Sequence, residues 1–456
     1  MRLFLLECVQ LWRSWTIRFG FLCLVVAGVA ALAHGSATID RQRAAIAEGP
    51  ALQDEQHRTI FDPIPSSAPA GDQLYYLYFY TAHEPSAWAS FATGLRDAQP
   101  FNLRIRLLAI EGQLYDSELA NPLIATLGPF DAALVLVLLA PLFVIALMHN
   151  VWSAEEEQGT ARLIRSQPIS RIRVMLTKIG ARTVVAVAPF SIVTAAAIVW
   201  FGITFDGTAL LVLLLITGYA LAWIGLATIV AGLGRTSEFN LVALLGVWVA
   251  LAVVGPALLS LASVVRHPTP EALELTVAQR QGYHAGWDAP LTETMANFYR
   301  TYPEWRDVPV PSDTYSNAWY YAMQQRGDDA ARPASEAYRG ALARRQAFVR
   351  RCAVLMPPAL VQSALTAVAR TDLASHLAYQ QSVRAYHETL KRYFLPAIFL
   401  NTAIADVNWA GAPAFVMPSA TDTSVPWRQT GWLWLQAVVF VTGGVIVLGR
   451  RVGGGA

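Results

Sequence analysis

Six stretches of this chain are near or above the roughly 20 apolar residues a helix needs to cross a bilayer, and they carry almost no charge. They run over residues 19–39, 131–152, 183–205, 207–234, 239–265 and 429–449. Only 14% of the chain is charged, against about a quarter in an ordinary soluble domain. The charge returns between the stretches, so the deficit reads as membrane spans rather than one large apolar core. The expected fold class is an α-helical integral membrane protein with six transmembrane helices. The first span is too long for a signal-peptide core and reads as an uncleaved anchor.

Orientation follows from arginine in the short connections. Arg2, Arg13 and Arg18 precede the first span, and Arg162, Arg165, Arg171, Arg173, Lys178 and Arg182 crowd the loop between the second and third. Arg235 lies between the fourth and fifth spans, and Arg450 and Arg451 follow the sixth. Six spans place all of these on one side, the cytoplasm, with both termini and the 450–456 tail. An inner (plasma) membrane location in a bacterium is expected. Trp12, Trp15 and Trp152 fall at inner boundaries, and Trp200, Trp427, Trp432 and Trp434 at outer ones. Trp223 and Trp248 fall mid-span and read as packing residues. Residues 1–18 are amphipathic, with Glu7, Gln10, Arg13 and Ser14 opposite Leu3, Leu6, Trp12 and Trp15, as in a helix lying in the interface plane.

Two long segments fall outside. Residues 40–130 read as a mixed α/β extracytoplasmic domain: a helix over Arg41–Thr59, strands over Leu74–Thr81 and Phe101–Ile110, and a helix over Glu84–Leu95. Residues 266–428 read as a mainly helical extracytoplasmic domain, with helices over Glu271–Tyr299, Asp313–Gln325, Ala334–Leu355 and Ala359–Tyr393. Cys8, Cys23 and Cys352 fall in three different compartments, so the outer domains are expected to fold without disulfides.

Residues 153–182 carry the most information. A charged break, Glu155-Glu156-Glu157, is followed by Gly159 and a short helix from Thr160 to about Ser166; Pro168 stops it, and Ser170 can cap the next helix. The result is a short helix offered to the cytoplasm at a fixed angle. Composition alone also allows a generic basic loop. Glu157, Gly159, Thr160, Leu163, Pro168, Ser170, Arg171 and Lys178 resemble the signature of ABC-2-type transporter permeases. Upstream, Glu118, Asn121-Pro122-Leu123, Gly128, Phe130-Asp131 and Pro141 resemble a branch of these permeases with large external domains after the first and fifth spans. The resemblance implies that this region is a coupling helix contacting an ATPase subunit. Glu155 and Arg165, within the same stretch, complete the candidate ATPase-coupling set.

No G-x-x-x-x-G-K-[ST] phosphate loop occurs, so ATP, if it drives this protein, is bound by another chain, and no cofactor or metal is expected on this one. There is no H-E-x-x-H and no G-x-S-x-G. His376 and His387 read as solvated helix-surface histidines. A net charge of +2 gives no indication of nucleic acid, and none is expected as a partner. The expected assembly is a dimeric ABC ATPase in the cytoplasm with two permease chains, identical or related, in the lipid bilayer, and external domains that gate the exit or meet a periplasmic partner. The expected function is a permease subunit coupling ATP hydrolysis to export of an unidentified substrate. The alternatives are mechanotransmission to the outer domains without transport, and a membrane-anchored sensor or assembly factor.

Overall fold

The computed structural model describes residues 2–115, 130–269, 272–310, 314–417 and 426–453. Among them are six helices long and apolar enough to cross a membrane. Helix α1 (Arg2–Arg13) is separated by Ser14 from α2 (Trp15–Phe61), a single helix of 47 residues, about 70 Å long at 1.5 Å per residue. The apolar span and the polar stretch expected after it are therefore one continuous rod.

The second spanning helix, α5 (residues 132–148), contains a π-helical turn, Val135–Leu139, just before Pro141. Proline has no N–H to return to the carbonyl four residues back, that of Val137. The buried Tyr219 hydroxyl donates to that carbonyl at 2.8 Å, and the Trp248 indole donates to Leu138 O at 3.1 Å. In hydrocarbon no water can take either role, so these side chains complete the helix. Trp248, read from sequence as mere packing, is thus also a hydrogen-bond donor. Asp131 begins the helix: its carboxylate accepts from Leu134 N at 2.8 Å and from Thr93 N at 2.8 Å.

The remaining spans are α8 (Arg171–Trp200), α9 (Gly207–Gly232), α10 (Ser237–Arg266) and α16 (Trp427–Gly453). Helices α9 and α16 approach closely along small residues: a β-carbon at Gly225 would lie 2.5 Å from the Val441 nitrogen.

Beyond one end of the bundle lies a head. It holds α3 (Ala70–Leu74), β1 (Phe79–Ala82), β2 (Asn102–Ile105), α4 (Ile110–Tyr115), α11 (Ala272–Asp288), α12 (Leu291–Thr301), most of α13 (Asn317–Ala353) and α15 (Leu373–Phe399), while α14 (Pro357–Ala369), between α13 and α15, lies outside it. The expectation of two separate domains is corrected. Leu74, Leu77, Phe79 and Ile105 from the first segment share one core with Phe298, Tyr379, Leu390 and Phe394 from the second. Among the described residues the only sheet is the antiparallel pair β1–β2, with Phe79 opposite Ile105. The free edge of β1 is covered by α2: Gln53 Oε1 accepts from Tyr80 N at 2.6 Å, and Gln56 Oε1 from Tyr78 N at 3.2 Å. Side-chain amides replace a third strand, which keeps the sheet small.

Other boundaries shift. Residues 84–95, expected as a helix, form turns ending in the 3-10 turn Gly94–Asp97. The helices expected at 313–325 and 334–355 are one, α13, running through Pro333. The helix expected over 359–393 breaks at Arg370, which adopts a left-handed conformation (φ 54°). His376 and His387, expected in solvent, are buried, at 8% and 3% exposure. Between α13 and α15 lies a buried ionic set: Arg384 bonds Glu111 through two nitrogens at 2.8 and 2.9 Å, and Lys391 bonds Gln325.

The end of α13 and all of α14 leave the head and enter the span bundle. Leu360, Val361, Ala364 and Leu365 share the core of the spanning helices. Gln436, nine residues into α16, donates to Val354 O at 2.5 Å. A β-carbon at Gly255, eleven residues before the end of α10, would meet Met356 Sδ at 2.6 Å. Both positions are about 13–16 Å from the head end of their helices, near half the hydrocarbon thickness. Residues 354–356 are therefore the tip of a re-entrant hairpin.

Candidate functional site

The opposite end of the bundle carries α6 (Ser153–Glu157) and α7 (Thr160–Ser166), joined by a turn at Gly159. Gly159 has φ 75°, a left-handed conformation that glycine adopts without strain, and no atom lies near its absent side chain. Gln167 is extended, and α8 starts at Arg171, so the second half of the expected loop, residues 171–182, is already helix. Ser170 holds the cap position of α8, but its side chain makes no capping bond; the capping role expected of it is corrected.

Three consecutive glutamates in α6 reach three different elements. Glu155 accepts from Lys178 Nζ on α8 at 2.8 Å and from the Thr160 hydroxyl that opens α7. Lys178, 6% exposed, also pairs with Glu7 of α1 at 2.9 Å. Glu156 accepts from Trp152 Nε1 at 3.0 Å and pairs with Arg451 of α16, which donates in turn to Ala231 O of α9 at 2.6 Å. Glu157 accepts from Ser237 N at 2.6 Å and Ser237 Oγ at 2.9 Å, occupying the first turn of α10. An anion there meets unpaired N–H groups and the positive end of the helix dipole. Successive helical residues point 100° apart, which is why one turn can grip three partners.

The structure brings Glu155, Thr160 and Lys178 into contact and places Glu157 away from them, on α10. Leu163, 66% exposed, points outward from α7, and Pro168 and Ser170 are exposed beside it. Arg171 is half-buried at the start of α8. Arg165 lies within α7; its side chain, like Glu118, Asn121, Pro122, Leu123 and Gly128 of the upstream motif, is outside what is described. Glu7, Glu156, Ser237 and Arg451 were missed as site residues. The run of three carboxylates was the signal: on a helix they cannot share one partner. Arg182, read from sequence only as a charge marking the inner side, is buried and donates to Leu147 O and, at 3.0 Å, to Asn150 Oδ1, holding α8 to α5.

Comparison with known families bears on this arrangement. A model of the ABC-2 family transporter proteins matches residues 7–303, more than half of the chain, including the later part of α1 from Glu7, the glutamate turn and five of the six spans. The chain belongs to this family. A second match, to a domain of unknown function (DUF3526), covers residues 273–417, most of the head's second segment. No curated protein and no solved structure matches the chain. This ABC-2 protein is thus a multi-pass membrane subunit of an ABC transporter, a component that works with an ABC ATPase.

Proposed function

We propose that this ABC-2 protein couples ATP hydrolysis by a separate ATPase to export of a substrate across the bacterial inner membrane. In this reading the glutamate turn and α7 face the cytoplasm, as arginine placement favours, and the head is extracytoplasmic. It belongs to the branch with large external domains after the first and fifth spans. The ATPase dimer would engage the exposed face of α7 around Leu163, Pro168 and Ser170, and two permease chains would face it.

The observation that carries the reading is the glutamate turn. A force applied to α7 passes through Glu155, Glu156 and Glu157 to α1, α8, α10 and α16 together, rather than to the connecting loop alone. Deleting residues 160–170 should abolish co-purification of the ATPase while leaving membrane insertion intact. Normal co-purification from that deletion would overturn the reading.

A second reading, mechanotransmission without transport, is favoured by the re-entrant hairpin. Helices α13 and α14 run directly from the span bundle into the head, so a shift of α10 or α16 is carried outward through covalent structure. Uptake of labelled substrate into inverted vesicles would separate the two.

A further inference from the structure

The head contains a cleft of about 910 Å³ between α2, β1, α15 and residues 409–417. Five aromatic rings, Phe79, Tyr80, Tyr386, Trp409 and Phe415, stand in its walls among aliphatic and polar residues. Along α2 it extends from Ile46 to His57, about 16 Å. This is the size of a site for a small organic molecule.

One end of the cleft is chemically different. His83 and Arg370 line both it and an adjoining pocket of about 10 Å³, whose other walls include Arg96 and His376. Arg96 is 5% exposed. Its Nε donates to Gln42 Oε1 at 2.9 Å and its Nη2 to His83 O at 2.7 Å, but its buried Nη1 has no partner among the described residues. The nearby carboxylate of Asp372 is already engaged: Oδ1 accepts from Ser375 N and Oγ at 3.1 and 2.7 Å, and Oδ2 from Gln346 at 3.1 Å. The acids lining the cleft, Asp54 and Glu84, are exposed to water. The unmet demand at this end is therefore for a hydrogen-bond acceptor, next to two guanidinium groups. A buried charged donor without an acceptor is costly.

We propose that this cleft binds an amphipathic organic anion, its acidic head reaching Arg96 and Arg370 and its apolar body lying among the aromatic rings. The small pocket has room for about one water-sized group, which suits a single oxygen of a carboxylate or phosphate entering from the mouth that His83 and Arg370 share. Burial, with Arg96, His376 and Arg370 nearby, holds His83 down to about 4, so its ring is neutral at pH 7 and the arginines supply the charge. The aromatic face lies alongside α2, and the basic end lies near Gln42, just beyond the apolar part of that helix. An amphiphile would thus lie with its head low and its body raised into the head domain. The site is independent of whether the protein transports.

The test is equilibrium binding of radiolabelled dodecyl phosphate to the full-length protein in phosphatidylcholine nanodiscs, with empty nanodiscs as the blank. Dodecanol supplies the body without the charge, and inorganic phosphate the head without the body. Saturable binding of dodecyl phosphate is expected, with neither competitor displacing it at matched concentration. Arg370→Gly should weaken it at least ten-fold: glycine takes φ 54° without strain, so only the charge is lost. Phe415→Ala should weaken it several-fold through the wall. Absence of saturable binding, equal displacement by dodecanol or by inorganic phosphate, or wild-type affinity in Arg370→Gly would overturn the proposal.

Discussion

Glu156 pairs with Arg451, although 295 residues separate them in the chain. The pair joins the turn after the second span to the end of the sixth, and both side chains are mostly shielded, at 30% and 13% exposure. Arg451→Gln leaves the Glu156 carboxylate with only the Trp152 indole and removes the donor to Ala231 O. A loss of about 1–3 kcal/mol is expected, the cost of stranding a part-buried charged group. Thermal melting of the nanodisc-bound protein checks it. The double variant E156Q/R451Q should lose less than the sum of the single variants, because no charge is then left unpaired.

Gly159 separates backbone demand from side-chain space. Nothing lies within reach of a β-carbon there, so a substitution pays only for its φ of 75°. Gly159→Ala should cost about 1 kcal/mol locally and lower ATPase recruitment, whereas Gly159→Asn, which tolerates the left-handed region, should keep most of it. Equal loss in both variants would mean that the ATPase reads the glycine itself.

Tyr219→Phe deletes one hydroxyl from the middle of the bundle. The Val137 carbonyl, which cannot receive the usual N–H four residues on because Pro141 has none, then loses its side-chain donor. Interhelical hydrogen bonds in membranes contribute about 0.6–2 kcal/mol, and a loss in that range should appear as earlier unfolding in a detergent titration. Trp248→Phe should act similarly through Leu138 O.

Acid should loosen the head. Burial holds His83 and His376 at about 4 and His387 at about 3, against 6.5 in the unfolded chain. As pH falls below 6.5 the unfolded chain takes up protons that the folded head refuses, so stability drops until pH reaches the folded values. At pH 5 each histidine contributes a loss of about 1–2 kcal/mol. Asp328, raised to about 6 by burial, acts the other way between about 6 and 4, and Asp97, also raised by burial, acts with it, but three rings oppose these two carboxyls. The melting temperature should fall between pH 7 and 5, and the fall should shrink in His376→Gln.

The spans are legible because apolar length is a local property: twenty uncharged residues announce themselves without their neighbours. The hairpin is not. Helix α14 has only 13 residues and carries Gln362, Ser363 and Thr366, so its sequence fits a soluble core as well as a re-entrant position. The shared core of the head is hidden for a different reason, since Phe79 and Phe394 meet only after α2 has carried the first segment upward. In the candidate site the turn at Gly159 and the stop at Pro168 are readable from single residues. The partners of the glutamates are not, because Lys178, Arg451 and Ser237 reach them from three other helices. The three adjacent carboxylates held that information in outline, since helical geometry forbids them a common target.

The most direct measurement puts a photoactivatable amino acid at Leu163, the most exposed apolar position of α7, in cells that also express the ABC ATPase. Crosslinks from position 163 to the ATPase are expected, with none from Leu355 at the tip of the hairpin. Crosslinks from 355, or from the head, with none from 163, would contradict docking at α7.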